Sequence, residues 1–141
     1  MKNVNIFCFG FGQVAKNFIK KLSIEKYNIN LTTTSRNESS KKNFAGINYN
    51  SYLFNSKRFD KNLLEELKKA DHVLISIPPE KKEDIVVKNF SKFFEIPKIK
   101  WITYLSATSV YGDHKGEWVN ENSKTNPISN NGIARLKVEN D

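Results

Sequence analysis

The sequence predicts an α/β fold: a doubly wound, parallel sheet (Rossmann type) of about five strands in the order 3-2-1-4-5, with helices between successive strands. Three observations predict it. Residues 4–22, VNIFCFGFGQVAKNFIKKL, read as a buried strand, a glycine turn and a helix. Residues 73–77, VLISI, form an apolar run that stops at Pro78-Pro79. That is the pattern of a strand buried on both faces, as parallel sheets require. Around these, β-branched or apolar runs alternate with segments of helical periodicity.

In the first element the apolar run Val4 to Phe9 meets Gly10-Phe11-Gly12. Val14, Ala15, Phe18, Ile19 and Leu22 then share one helical face, with Lys16, Asn17, Lys20 and Lys21 opposite. Gly10 lets the chain turn tightly out of the strand. Gly12 lets backbone approach a pyrophosphate, and the small Ala15 lets the helix pack close to the strand. The helix start, with Gln13 and Val14, offers unpaired N–H groups to phosphate. The spacing GxGxxA is therefore a dinucleotide-binding signal, although glycine corners of this kind also occur where nothing binds.

Residues 29–34, INLTTT, read as the second strand, ending at Ser35-Arg36. An acidic residue here would accept from the ribose 2′-OH of NAD; a hydroxyl and a guanidinium suit a 2′-phosphate instead. The pair predicts NADP in preference to NAD, with a solvated surface arginine as the competing reading of Arg36. Residues 37–45 read as a polar loop and residues 46–54 as a short third strand. Asp60 is expected to cap a helix to Lys69 with Leu63, Leu64 and Leu67 inward. The fourth strand follows, and Ile77, Pro78 and Pro79 at its end are expected to line a cofactor crevice beside the first strand. His72, ahead of that strand, reads as structural or solvated. Residues 80–94 are expected to form a helix with Val86, Phe90, Phe93 and Phe94 inward, and residues 101–105, WITYL, the fifth strand.

The 141 residues suit one domain. One cysteine, Cys8, excludes an intrachain disulfide and reads as a core residue. No apolar run has the length of a membrane span, and polar residues interrupt any secretory-type apolar stretch near the start. The expectation is a cytoplasmic protein with no membrane partner. A net charge of +8 raises nucleic acid as a partner, but the lysines are scattered and no aromatic-interleaved basic motif is present. A solvated basic surface is the reading taken, with no nucleic-acid partner. No His/Cys/Asp/Glu spacing suggests a metal site.

Strand five runs into LSATSVYGDHKGEWVNENS, then NPIS and NNGIARLKVEN. These segments resemble the extended short-chain dehydrogenase/reductases, in particular the nucleoside-diphosphate-sugar epimerase group, and the resemblance spans residues 1–141. It implies a single NAD(P)-binding Rossmann domain without the family's C-terminal substrate lobe. It further implies an oxidoreductase or isomerase of the NAD-dependent epimerase/dehydratase kind, a sugar-nucleotide substrate, and Ser106 near the cofactor. The family's hydroxyl, Tyr and Lys fall here on Ala107, Asn131 and Arg135. An amide does not act as a general acid–base near neutral pH, and arginine stays protonated. No catalytic residue is assigned. This is the pattern of the atypical branch, exemplified by YeeZ-like proteins. A non-catalytic NADP(H)-binding module or a truncated remnant are the alternative readings. The exposed fifth-strand edge makes a homo-oligomer plausible.

Overall fold

The computed structural model describes residues 2–140, so the two ends of the 1–141 span lie outside the described residues. It resolves into two compact units, one of residues 1–77 and 90–105, the other of residues 78–89 and 106–141.

The first unit contains a six-stranded sheet. Its strands are β1 (Asn3–Phe9), β2 (Asn28–Ser35), β3 (Ser40–Phe44), β4 (Ile47–Leu53), β5 (His72–Ile75) and β6 (Trp101–Tyr104). Helix α1 (Gln13–Ile24) follows β1, and the short α2 (Leu63–Lys68) precedes β5. The order across the sheet is β3-β4-β2-β1-β5-β6. All neighbours are parallel except the β3–β4 pair. The expected α/β doubly wound sheet is therefore present, and the expected order 3-2-1-4-5 is kept among its parallel strands.

The sixth strand is a correction. Residues 37–45, read as a loop, contribute β3, which pairs antiparallel with β4 through a hairpin at Ala45-Gly46. Both turn residues have positive φ, 51° and 81°, the geometry of a two-residue turn matched to strand twist. The usual Asn-Gly or Asp-Gly signal is absent, because alanine occupies the first turn position.

Strand alternation divides the core into two faces. On one, Val4, Ile6 and Cys8 of β1 pack with Ala15 and Ile19 of α1, Ile29 and Leu31 of β2, and Leu74 of β5. Burial pushes the Cys8 thiol up to about 12, which makes it an inert core group. On the other face Phe9 meets Phe54 and Phe90, with ring centroids 5.5 and 5.3 Å away, and Phe54 and Phe90 lie 5.6 Å apart. Helix α2 buries Leu63 and Leu67 and leaves Leu64 half-buried. Asp60 does not cap it. Its carboxylate accepts from the Asn62 N–H and the Ser39 hydroxyl, forming a turn ahead of α2, and Asn62 is the cap residue.

The helix expected over residues 80–94 is shorter. Helix α3 spans Ile85–Phe90, and a 3-10 turn covers Ser91–Phe93. Glu80 and Glu83 exchange two backbone hydrogen bonds, at 2.8 and 2.9 Å, across Lys81 and Lys82, both at positive φ. That turn prevents a helix from starting at Glu80. Asp84 starts it instead, its carboxylate accepting from the N–H groups of Val86 and Val87. In the second unit, α4 (Asn130–Asn140) packs on a 3-10 turn at Thr108–Val110. A Cβ on Gly132 would lie 2.5 Å from the Ser109 carbonyl oxygen, so glycine permits that contact.

Asp71 fastens the start of β5 to β1. Its carboxylate accepts from the Asn5 N–H at 2.9 Å and the Asn5 side-chain amide at 2.8 Å, and Lys98 lies 3.2 Å away. These donors, the backbone N–H foremost, hold its carboxyl at about 2, below the usual 3.8. A depressed carboxyl contributes stability above its unfolded value and loses it as pH falls through the folded one. Asp71→Ala is expected to cost about 2 kcal/mol near neutral pH and little below about pH 2. Denaturant unfolding of both proteins across pH 2–7 checks this; parallel pH curves would contradict it.

Candidate functional site

The carboxyl ends of β1, β2 and β5 meet at Gly10. Gly10 adopts φ +85°, and a Cβ there would stand 2.5 Å from Ile77 Cγ2 and 3.0 Å from Ser76 Oγ. Its N–H donates to Thr34 Oγ1 at 2.8 Å, tying β1 to β2. The Ser76 N–H and hydroxyl both donate to the Phe9 carbonyl at 3.0 Å, tying β1 to β5. Glycine is thus required at this corner by conformation and by space. Phe11 braces the outer side of the turn, with ring centroids 5.3 Å from Phe44 and 5.2 Å from Tyr49.

Gly12 differs. Its φ is −82°, and a Cβ there would meet nothing within 4 Å. The protein itself does not demand glycine at this position; the absent side chain leaves open backbone. The first bond of α1 runs from the Lys16 N–H to the Gly12 carbonyl at 3.0 Å. The N–H groups of Gln13, Val14 and Ala15 therefore have no partner within the helix. No side chain caps them, and the first turn carries no acidic residue. Gly12, Gln13 and Val14 are exposed. An anion placed there would meet bare donors and the positive end of a helix dipole.

Ser35 closes β2 and is half-buried; its carbonyl accepts from the Phe54 N–H at 2.8 Å. Arg36 is exposed, and its carbonyl accepts from the Asn55 side-chain amide at 3.0 Å. Arg36 directly follows β2 at the same sheet end as the glycine turn, because β1 and β2 are adjacent and parallel. Gly10, Gly12, Gln13, Val14, Ser35, Arg36 and Ile77 are thus gathered at one end of one sheet.

Pro78, Pro79 and Ser106 belong to the second unit. Pro79 is buried and Pro78 exposed. The Ser106 hydroxyl donates to a Glu139 carboxylate oxygen near the end of α4. In that unit Tyr111 and Gly112 close the base of a polar loop: the Asn126 N–H donates to the Tyr111 carbonyl at 3.2 Å, and Gly112 has φ +74°. A Cβ on Gly112 would reach 1.9 Å from the Asn126 carbonyl oxygen, which explains glycine in the VYGD segment. Asn131 lies exposed in the first turn of α4, and Arg135 is half-buried one turn later. Sequence reasoning missed Thr34 and Ser76; small hydroxyl residues at strand ends were the available signal.

No protein-family model matches the chain, and no curated protein matches it. Solved structures do. A functionally unknown conserved protein from Silicibacter pomeroyi superposes with a TM-score of 0.70 at 24% identity, over 97% of this chain and 47% of that one. A UDP-glucose 4-epimerase from Bifidobacterium longum, solved with NAD+ and UDP, superposes with a TM-score of 0.67 at 18% identity. It is covered over 47% of its length, by 99% of this chain. A UDP-glucuronic acid 4-epimerase from Bacillus cereus, solved with a fluorinated UDP-sugar and NAD, gives 0.63 at 18%, over 96% and 50%. The fold is the one these epimerases share. The chain spans about half the length of the structures it matches. No helix among the described residues is long and apolar enough to cross a membrane.

The two glycines separate experimentally. Gly10→Ala is expected to lower stability by about 1–3 kcal/mol, from the strained φ and the contact with Ile77. Gly12→Val is expected to leave the melting temperature within about 2 °C of the parent, a change under ~0.5 kcal/mol for an exposed site. Thermal unfolding followed by circular dichroism checks both. Equal losses would mean that Gly12 also serves the fold.

Proposed function

We propose that this chain is a nicotinamide-dinucleotide-binding domain of the epimerase/dehydratase type. The observation that carries the proposal is the bare turn at Gly12: open space where a side chain would be, beside three N–H groups that nothing in the helix satisfies. The donors fit a pyrophosphate, which needs several N–H groups and no nearby carboxylate. The two NAD-containing epimerases among the similar structures support the same reading.

The N–H groups of Gln13, Val14 and Ala15 would hold the pyrophosphate, with Gly12 permitting its approach. Ser35 and Arg36 would hold the adenosine ribose, and the guanidinium favours a 2′-phosphate, hence NADP over NAD. Ile77, on the same unit, belongs to the proposed lining. When bound, the nicotinamide supplies hydride transfer, and a sugar nucleotide or similar polar carbonyl compound is the proposed substrate class. The chain's own residues do not supply the family's usual proton transfer. Ala107 carries no hydroxyl, the Asn131 amide does not titrate, and Arg135 binds rather than relays protons. That substitution, as in the YeeZ-like branch, favours a second reading: a domain that holds NADP(H) and leaves turnover to residues outside this set. A cytoplasmic setting and the single-domain organisation of residues 1–141 belong to the same proposal.

Titration of the purified chain with NADPH and NADH, followed by nicotinamide fluorescence, tests this. Both are expected to bind, NADPH more tightly. Arg36→Ala is expected to weaken NADPH about 10–100-fold, the worth of one or two charge-assisted hydrogen bonds, and to leave NADH nearly unchanged. Equal loss for both cofactors, or none, removes the 2′-phosphate assignment. No binding of either, by a chain that folds, overturns the proposal.

A further inference from the structure

The β3–β4 hairpin gives the sheet a margin of its own. β3 stands first in the order β3-β4-β2-β1-β5-β6, with β4 as its one strand neighbour among the described residues. The turn decides which of its backbone groups β4 uses. A two-residue turn at Ala45-Gly46 makes Phe44 and Ile47 a hydrogen-bonded pair, and bonded and non-bonded pairs alternate along an antiparallel ladder. The bonded pairs are then Phe44–Ile47, Lys42–Tyr49 and Ser40–Ser51. Asn43 and Asn48 form a non-bonded pair, where side chains stand closer, and the Asn43 side-chain amide donates to Asn48 Oδ1 at 2.7 Å. The N–H and C=O groups of Lys41 and Asn43 therefore point away from β4, and no hydrogen bond reaches them among the described residues.

This edge is exposed and positively charged. Lys41, Lys42 and Asn43 are all exposed. Alternation sets Lys41 and Asn43 on the Phe7 face of the sheet and Lys42 on the α1 face. On the Phe7 face the register aligns Phe7, Thr32, Asn50 and Lys41 across four strands. An open groove of about 850 Å³ lies there, with Lys41 and Asn43 along its outer side. The acid lining it, Glu66, is paired with Lys69 at 2.7 Å. On the α1 face Lys16 Nζ stands 5.9 Å from the centroid of the Phe44 ring. Neither Lys41 nor Lys42 has an ion-pair partner among the described residues. Asp60, at the start of β3, is occupied by the Ser39 hydroxyl and the Asn62 N–H. Apolar side chains do not mark this edge. Val14 and Phe18, which helical periodicity predicted to be inward, are 57% and 41% exposed on α1, but they share a groove with Trp101 of β6, at the opposite margin. Recognition at β3 rests on backbone and charge.

We propose that the β3 edge takes up an extended acidic segment of a partner protein as an added strand. The segment's backbone pairs with Lys41 and Asn43, and its acidic side chains meet Lys41 on one face and Lys42 on the other. A second copy of this chain is a poorer occupant, because β3 against β3 sets lysine against lysine and each chain carries a net charge of +8. Lys41, Lys42 and Asn43 are not part of the proposed dinucleotide site, so the two readings stand or fall separately.

Fluorescence anisotropy tests this, with the 141-residue chain titrated into a fluorescein-labelled peptide of alternating glutamate and threonine. Saturable binding is expected. Lys41→Glu combined with Lys42→Glu is expected to weaken it by about tenfold or more, and Asn43→Pro by about tenfold. The proline removes an outward N–H and leaves the bonded pairs of the hairpin in place, since an edge strand tolerates proline on its open side. Circular dichroism checks that each variant is folded. The same peptide N-methylated at every residue keeps its charge and loses its backbone donors, and is expected not to bind; it decides the matter if Asn43→Pro unfolds the hairpin. Equal binding of the methylated and unmethylated peptides, or binding by neither, overturns the proposal. So does unchanged affinity in a folded Asn43→Pro variant, which would assign the attraction to charge alone.

Discussion

The structure depends on one corner. Gly10 stands where β1 stops, and three strand ends are tied through it and the carbonyl before it. Its N–H goes to Thr34 and its missing side chain admits Ile77, while Ser76 donates twice to Phe9. A larger residue would force both the backbone angle and the approach of β5. Because this corner is fixed by internal bonds, the next residues need not be. Gly12 and the first turn of α1 are left with open space and unpaired N–H groups. Rigidity at Gly10 is what makes the bareness at Gly12 useful: donors held in place by a sheet cost little to order when an anion arrives.

The same separation explains what was legible in the sequence. The strand–turn–helix at residues 4–22 and the apolar run at 73–77 gave the parallel sheet, because period and burial are written directly into residue type. The hairpin at Ala45-Gly46 and the turn at Lys81-Lys82 were not legible. Both place non-glycine residues at positive φ, and neither carries the usual Asn or Asp. The short α3 follows from that second turn, since the helix starts after Asp84 rather than at Glu80. Asp60 was misread for a related reason. An aspartate before a leucine-rich run signals a cap, but here it serves a turn ahead of the helix. At the candidate site the glycines were visible, whereas the hydroxyls of Thr34 and Ser76 that hold the corner together were not, because their role depends on the register between strands.

Function divides in the same way as the chemistry. The first unit carries the groups on which the proposed dinucleotide site rests: the open turn at Gly12, the start of α1 and Arg36 just after β2. Ala107, Asn131 and Arg135, the positions onto which the resemblance places the family's proton-transferring groups, lie in the second unit.

The most direct test of the central claim is amide NMR of the isotopically labelled chain during NADPH addition. The largest shifts are expected on the N–H groups of Gly12, Gln13, Val14 and Ala15, while the Gly10 amide, already bonded to Thr34, keeps its hydrogen bond and moves little. Saturable binding whose shifts cluster elsewhere, with the Gly12–Ala15 amides unmoved, would contradict it.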